Sequence, residues 1–273
     1  MGVFSIFSQN IVNNEYVFFD VETTGFYPFC GDRIIEIAMI KVRNGNIIDR
    51  LEMLLNPEMP IPEEAKSIHN IDDEILKDKP IFSSDIAKRL LDFIGKAILV
   101  AHNASFDIGF LSMEMARLGF IYEDWKAIDT LKMARSAFPY EKRHNLESMV
   151  KRYNLEIDNE FHRAGFDTEQ LMKVFFSLID EEEFRNKNID TLIKKYGFCG
   201  AGIYKFISAV IREAIIEKRE ISGRYKKRDG EIVDISVIPK APVWANDKWF
   251  LLANYTDSGK EVVLYCQNFI ELR

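Results

Sequence analysis

The sequence predicts an α/β protein in which helices flank a mixed β-sheet, followed by a small β-rich module that a helix precedes. Three observations lead to this fold class. Strand-like apolar runs joined by tight turns open the chain, helical and strand-like segments then alternate, and strand-like alternation returns after an acidic cluster at residues 180–183. Three strands followed by alternating helices and strands are typical of a mixed sheet with helices packed on it.

The first strands are predicted from their composition and from the turns between them. Residues 16–22 begin with an aromatic and β-branched run and end at a turn over residues 23–25, which indicates a buried strand. Residues 34–42 form a second predicted strand, an Asn-Gly pair supplies a hairpin turn, and residues 47–55 return as a third strand. These segments make an antiparallel meander.

The middle of the chain alternates between helical spacing of apolar residues and short apolar runs. Ser83 and Gly95 are residues that commonly begin and end a helix. The predicted elements are, in order, helix 83–95, strand 98–101, helix 106–119, strand 127–131, helix 146–153 and helix 165–179.

The acidic cluster and the polar stretch after it predict a domain boundary. We therefore predict a first domain over residues 1–180, a linker over 181–203 and a second domain over 204–273. Within the second domain, a helix is expected near residues 204–217. The expected strands follow at 221–227, 233–237, 248–255 and 261–266.

Composition limits the class of protein. The three cysteines lie far apart without a CxxC pair, so neither a disulfide framework nor a thiolate zinc site is predicted. No uninterrupted apolar run approaches the roughly 18 residues of a membrane span, and no targeting motif opens the chain, so we expect a cytoplasmic protein without a membrane partner. The net charge of -7 argues against nucleic-acid binding through the bulk field, but bound cations reverse the field at a site.

Asp20 and Glu22 lie two residues apart on the first predicted strand, so both carboxylates project from one face of it. Two such charges repel each other, and a divalent cation removes the repulsion. Hard oxygen ligands suit Mg²⁺ or Mn²⁺. For the isolated pair, a solvated strand end is an equally good interpretation.

Three further residues become informative only in combination. Asp107 lies in the first turn of a predicted helix, where the helix dipole alone favours a carboxylate. His162 precedes another helix and Asp167 lies just inside it; taken alone, such a histidine is more often structural.

These residues together resemble the DEDDh exonucleases, among them the proofreading exonucleases of bacterial replicative DNA polymerases. The resemblance covers residues 15 to about 180 and rests on three motifs in their usual order. The motifs are Phe19-Asp20-Val21-Glu22-Thr23-Thr24-Gly25, His102-Asn103-Ala104-Ser105-Phe106-Asp107, and His162-Arg163-Ala164 with Asp167.

The resemblance implies an RNase H-like fold and hydrolysis of a 3′-terminal phosphodiester with release of nucleoside monophosphates. It implies two divalent metal ions, Mg²⁺ or Mn²⁺, with Asp20 bridging both, Glu22 and Asp167 completing one coordination shell, and Asp107 the other. His162 titrates near neutral pH and is the candidate general base.

Substrate contacts are also implied by the resemblance. The backbone at the first motif is expected to grip the 3′ hydroxyl, and Gly25 permits the close approach. His69 occupies the place of a His-Gly-Ile segment, although Asn70 replaces the glycine here. The full set of expected substrate-binding residues is Thr23, Thr24, Gly25, His69, Asn103 and Phe106.

Residues 205–273 resemble a WYL domain, with Phe250 in place of the tyrosine of the name. This resemblance implies a small Sm- or SH3-like β-barrel that binds a nucleic acid or a regulatory ligand. The candidate contacts lie in one cationic run that contains an aromatic residue, although such a run is commonly a solvated hairpin. They are Arg224, Tyr225, Lys227 and Arg228.

The leading prediction is a metal-dependent 3′→5′ exonuclease that acts on DNA, as single strands or at 3′ ends, with a C-terminal binding module. An exonuclease that acts on RNA is the alternative within the class. The alternative of another class is a ligand-responsive nucleic-acid-binding regulator with an inactive nuclease domain, against which the complete set of acidic residues and histidine argues. A polymerase or repair partner stays open.

Overall fold

The computed structural model describes residues 9–120, 125–155, 163–199, 207–245 and 248–273. The helices among these residues are α1 (Gln9–Val12), α2 (Glu63–His69), α3 (Asp73–Leu76), α4 (Ser84–Ile94), α5 (Ala104–Arg117), α6 (Thr130–Ala137), α7 (Leu146–Arg152), α8 (Ala164–Leu178), α9 (Ile189–Tyr196) and α10 (Ala209–Glu217). The strands are β1 (Glu15–Thr23), β2 (Ile34–Arg43), β3 (Asn46–Leu54), β4 (Ile98–Ala101), β5 (Lys126–Asp129), β6 (Gly197–Cys199), β7 (Ile221–Lys226), β8 (Ile232–Ala245), β9 (Lys248–Tyr255), β10 (Glu261–Tyr265) and β11 (Phe269–Leu272).

The first sheet has six strands in the order β3-β2-β1-β4-β5-β6. The meander β1-β2-β3 is antiparallel, whereas β4 pairs parallel with β1 and β5 pairs parallel with β4. Parallel pairing needs a crossover connection, and the helices between these strands provide it. The predicted mixed sheet with helices is confirmed.

Helix α8 packs on β1 and fixes the geometry of the acidic residues. Alternate residues of β1 face the helix, so Tyr16 and Phe18 reach Phe175, with ring centroids 5.1 Å and 5.5 Å apart. Continuing along the same face of β1 leads from Phe18 to Glu22, about 13 Å. From Phe175 back to Asp167, α8 covers about 12 Å. Glu22 and Asp167 therefore lie at the same end of the contact between β1 and α8, beyond its apolar residues.

Several elements differ from the sequence-based expectation. The strand predicted over 127–131 ends at Asp129, because this side chain accepts hydrogen bonds from the backbone N–H groups of Leu131 and Lys132 and thereby caps α6. Residues 181–203, predicted as a linker, contain α9 and β6, and β6 pairs antiparallel with β5. The extent of the predicted domains stays a prediction.

The chain divides into two compact units, Met1–Asp107 with Trp125–Cys199 and Ile108–Asp124 with Gly200–Arg273. The second contains an antiparallel five-stranded sheet in the order β10-β9-β8-β7-β11. Strands β7, β9 and β10 follow the predicted segments, whereas β8 continues to Ala245, well past the predicted end at residue 237, and β11 was not predicted. Closure into a barrel stays a prediction. No helix among the described residues combines the length and the apolar character needed to cross a membrane.

Candidate metal centre

Three carboxylates meet where β1 and α8 end their apolar contact. Asp20 and Glu22 come from β1 and Asp167 comes from the first turn of α8, and one oxygen of each lies within 4.8 Å of the others. The sequence predicted this grouping from residues about 145 positions apart, and the packing of Phe175 on β1 explains it.

The electrostatics of these carboxylates favour a cation. Burial raises the pKa of Asp20 well above its usual range, and Asp107, Glu22 and Asp167 raise it further. Burial and the neighbouring charges of Asp167 and Glu36 raise the pKa of Glu22 from 4.5 to about 8. Burial and mutual repulsion both disfavour the charged forms of these carboxylates. A hard divalent cation with oxygen ligands offsets both effects. The donor set therefore fits Mg²⁺ or Mn²⁺.

Asp107 lies beside this group and is tied to β1. Its Oδ1 accepts a hydrogen bond from the backbone N–H of Val21 at 3.3 Å, between the two acidic residues of the strand. The side chain is buried, and burial raises its pKa well above the usual range. Asp107 also raises the pKa of Asp20, so it belongs to the same electrostatic cluster.

His162 lies outside the described residues, so its predicted role as general base rests on the sequence motif. The next residue, Arg163, is described. Its guanidinium contacts Glu36 on β2, with Nη2 2.7 Å from Oε1 and Nε 3.2 Å from Oε2. Glu36 was not singled out in the sequence, although a glutamate inside the apolar run of residues 34–40 is a signal that could have identified it.

A cavity of about 360 Å³ adjoins the acidic residues and includes Glu22 in its lining. Five of the six predicted substrate-binding residues line it, namely Thr23, Thr24, Gly25, His69 and Phe106. Asn103 is not among the described residues that line the cavity. It adopts a left-handed conformation with φ 74°, and its backbone N–H donates to Asp129 Oδ1 at 3.1 Å.

The cavity loop that follows β1 is held by Asp32, which the sequence did not reveal. Asp32 accepts hydrogen bonds from Thr24 Oγ1 at 3.2 Å and from the backbone N–H of Tyr27 at 2.9 Å. A Cβ atom at Gly25 would lie 2.4 Å from the Asp32 carboxylate. Any larger residue at position 25 would therefore displace the Asp32 carboxylate from these hydrogen bonds.

The residue that replaces the expected glycine after His69 has a clear structural role. Asn70 ends α2 in the left-handed conformation, with φ 58°, which asparagine tolerates better than most residues other than glycine. His69 itself is buried, and its Nδ1 accepts the backbone N–H of Ile71 at 3.1 Å. The substitution of asparagine for glycine is thus compatible with the predicted loop.

Two of the four predicted contact residues of the second unit, Tyr225 and Lys227, have intramolecular partners. On β7, Arg224 stands directly opposite Asp234 of β8 and next to Glu271 of β11. The Nζ of Lys227 is 2.7 Å from Glu231 Oε2. Tyr225 is half-buried, with its ring centroid 5.2 Å from that of Phe269 and its hydroxyl accepting the N–H of Tyr265 at 3.0 Å. Arg228 is exposed at the hairpin.

The sequence pattern of the family described as Exonuclease (RNase_T) matches residues 17–175. DNA polymerase III PolC-type of Staphylococcus epidermidis is 38% identical over 173 residues, which cover 63% of this chain and 12% of that protein. The PolC-type polymerase of Bacillus cereus is 40% identical over 159 residues, covering 58% and 11%. The chain thus spans about an eighth of the length of these relatives.

Two solved structures have a similar fold. Exonuclease X in complex with 5′ overhanging duplex DNA has a TM-score of 0.53 and 24% identity, covering 67% of this chain and 99% of that one. E. coli Exonuclease I in complex with a dA16 oligonucleotide has a TM-score of 0.56 and 16% identity, covering 89% and 55%. These similarities concern the fold and support the RNase H-like architecture of the first sheet.

Proposed function

The chain belongs to the exonuclease (RNase_T) family, and on that basis we propose that it hydrolyses the 3′-terminal phosphodiester of single-stranded DNA and releases nucleoside monophosphates. The observation that carries the proposal is the group of three carboxylates within 4.8 Å beside a nucleotide-sized cavity. DNA is favoured over RNA because the relatives with 38–40% identity are DNA polymerases by name.

The residues proposed to hold two divalent ions are Asp20, Glu22 and Asp167, together with Asp107 beside them. Bound there, Mg²⁺ or Mn²⁺ would neutralise charge on the phosphate oxygens and lower the pKa of the attacking water. Without the ions, these carboxylates would repel a phosphodiester. The acidic cluster and the negatively charged substrate are therefore compatible only through a cation.

Other residues near the acidic cluster are proposed to orient the nucleic-acid strand and to accept the proton of the attacking water. We propose that the backbone of Thr24 and Gly25 contacts the terminal nucleotide. Both residues line the cavity, and the hydrogen bond from Thr24 to Asp32 fixes the loop that contains them. His69 and Phe106 line the same cavity and would contact the terminal sugar or base. His162 would take the proton from the attacking water, a role that rests on its place in the motif.

A preference for single strands is supported by two aromatic residues at the cavity. Phe26 and Tyr27 line it, yet 64% and 66% of their surfaces are exposed. Two adjacent exposed aromatic side chains at a cavity are typical of a ligand-binding surface, whereas a single exposed one is common on any protein. Unpaired bases stack on aromatic rings with little regard to sequence, whereas paired bases are not available for it.

Replacement of Phe26 and Tyr27 by alanine is expected to raise KM for a single-stranded oligonucleotide. A stacking contact contributes about 1–3 kcal/mol per base, so roughly a 5- to 150-fold change is expected, with kcat much less affected. Steady-state kinetics measure both parameters. Tyr140→Ala is the matched control, because this tyrosine is 98% exposed and does not belong to the cavity lining. An equal KM in the double variant and the control would exclude the stacking role.

The proposed activity is tested with 3′-labelled and 5′-labelled oligonucleotides of DNA and RNA, incubated with Mg²⁺ or Mn²⁺ and with EDTA. Release of labelled mononucleotide from the 3′ end alone, dependent on metal, is expected for single-stranded DNA. Faster release from RNA would favour the alternative substrate. Binding of oligonucleotides without any release would favour the regulator, in which the first unit binds but does not hydrolyse.

For the second unit we propose, from its likeness to WYL domains, a role in binding nucleic acid or a regulatory ligand. Lys227 pairs with Glu231, and Arg224 stands opposite Asp234 in the register of β7 and β8. Lys226 and Arg228, both exposed, are therefore the stronger candidates for phosphate contact. The full chain carrying Lys226→Glu and Arg228→Glu is expected to bind single-stranded DNA more weakly. Its affinity should also depend less on salt, by a log–log slope of about 0.7 per lost contact.

Fluorescence anisotropy at several salt concentrations measures both effects. Lys260→Glu, at an exposed position of the same unit, serves as the control for reversing a charge elsewhere on its surface. An unchanged slope in the double variant would show that these cations do not contact the strand.

A further inference from the structure

Glu36 is a carboxylate in an environment that should exclude one. It lies on β2 with 0% of its surface exposed, and it stands directly opposite Glu22 in the register of β1 and β2. Opposed residues of an antiparallel pair project from the same face, so Glu36 shares the face of the metal-centre carboxylates. A buried charge at this place persists only if donors satisfy it.

Three donors satisfy Glu36, and all belong to two consecutive residues at the start of α8. Arg163 contributes Nη2 at 2.7 Å and Nε at 3.2 Å, and the backbone N–H of Ala164 contributes a third bond at 3.1 Å. Arg163 is the N-cap residue of α8, and its own side chain does not cap the helix. The carboxylate from β2 therefore serves as the cap, and the bidentate contact fixes its direction.

The position of this pair along the chain determines what it fixes. Arg163 follows the motif histidine directly, and Asp167 lies one helical turn further on. Thr168 Oγ1 donates to the carbonyl oxygen of Ala164 within α8 at 2.6 Å and lies 3.4 Å from the carbonyl oxygen of Ala38, so it packs against β2 without a strong hydrogen bond to it. The hydrogen bonds to Glu36 are therefore the contacts that hold the start of α8 against the strand that neighbours β1.

We infer that the Glu36–Arg163 ion pair is a positioning device for the metal centre, which holds the start of α8 so that Asp167 stands beside Asp20 and Glu22. The inference rests on the proposed function. The three hydrogen bonds also occupy the oxygens of Glu36, so this carboxylate does not compete with Glu22 for a cation. Arg163 and Glu36 act as a unit, and neither touches the reacting atoms in this role.

A second ion pair on the same helix provides a matched comparison. Arg50 of β3 lies 3.2 Å from Glu169 of α8, and the two arginines, Arg50 and Arg163, are similarly exposed at 52% and 47%. The carboxylates differ, because Glu169 is 39% exposed and Glu36 is 0% exposed. Exposed pairs contribute little to stability or position, because water screens the charges. Glu169→Gln therefore removes a strand-to-helix ion pair without disturbing the metal centre.

The test compares Glu36→Gln, Arg163→Gln, Arg163→Lys and the double Gln variant with Glu169→Gln in the full chain. Calorimetry gives the affinity for Mn²⁺, oligonucleotide kinetics give kcat and KM separately, and thermal unfolding shows that each variant is folded at the assay temperature. Glu36→Gln and Arg163→Gln are each expected to lose about 10- to 100-fold in Mn²⁺ affinity and in kcat, with KM little changed.

Three further results are expected if the pair acts as a unit. The double variant is no worse than the poorer single variant, because either change alone releases the start of α8. Arg163→Lys retains part of the function, because lysine keeps the charge and loses the bidentate geometry. Glu169→Gln behaves like the unmodified chain.

Folded Glu36→Gln and Arg163→Lys variants with unchanged Mn²⁺ affinity and kcat would overturn the inference, as would single losses that multiply in the double variant. Failure of the proposed function has a different signature. A chain that binds Mn²⁺ but releases no mononucleotide would refute the exonuclease activity, while its Mn²⁺ affinities would still decide the role of the pair.

Discussion

The Asp20→Asn variant should lose about three orders of magnitude in kcat while becoming more stable than the unmodified chain in the absence of metal. Divalent ions contribute several kcal/mol of charge stabilisation in the transition state, and roughly 4 kcal/mol corresponds to a factor of about 10³. Burial and four acidic neighbours disfavour the charged form of Asp20 and raise its pKa. Asparagine keeps the shape of the side chain and removes the charge.

Thermal unfolding in EDTA at pH 8 measures the stability effect. Each kcal/mol of repulsion removed should raise Tm by about 2–4 °C in a chain of this size. Asp49→Asn, which changes an exposed carboxylate on β3, should alter neither Tm nor kcat. A less stable Asp20→Asn variant would show that the carboxylates do not destabilise the metal-free fold, and retained kcat would contradict the assignment of Asp20.

The stability of the metal-free chain should fall as pH rises from about 4.5 to about 8, and Mg²⁺ should restore it. Glu22 has its pKa raised from 4.5 to about 8 in the folded chain, chiefly by burial. Between these values the folded chain keeps a proton that the unfolded chain has released. The folded state therefore binds more protons, and its stability decreases with rising pH. The loss is absent below pH 4.5 and complete above pH 8.

Metal binding follows the opposite course, because the cation competes with the proton for the same oxygens. The rise in Tm caused by saturating Mg²⁺ should thus be larger at pH 8 than at pH 6. Glu22→Gln isolates the effect from other titrating groups, since it should flatten the pH dependence of the metal-free chain and reduce the response to Mg²⁺. A larger Mg²⁺ response at pH 6 would contradict the assignment of these carboxylates as ligands.

Local patterns in the sequence were sufficient for the mixed sheet and for the pair of carboxylates on β1. Apolar alternation sets which face of β1 is buried, and Asp20 and Glu22 share the face of Phe18 for the same reason. The grouping of Asp167 with this pair was implied by the resemblance to the DEDDh exonucleases and not by a local pattern. It depends on the packing of Phe175 of α8 against Phe18 of β1, a contact between residues far apart in the sequence.

Other features depend on contacts between distant residues and could not be predicted. Asp32 fixes the cavity loop through Thr24 and Tyr27, and nothing in its neighbourhood distinguishes it from a solvated turn residue. Arg224 belongs to a cationic run in the sequence, but strand pairing places Asp234 and Glu271 beside it. Local charge patterns indicate solvent-facing segments, and only the register of the strands reveals which charges neutralise one another.

The bond between Asp107 and β1 has a consequence for how this site tolerates sequence change. Its donor is the main-chain N–H of Val21, which every amino acid except proline provides. Substitutions at position 21 can therefore alter the core without detaching Asp107 from the strand, and a mutational scan should find proline uniquely harmful to this link. The hydrogen bond that holds Asp107 is thus unaffected by most changes of the side chain at position 21.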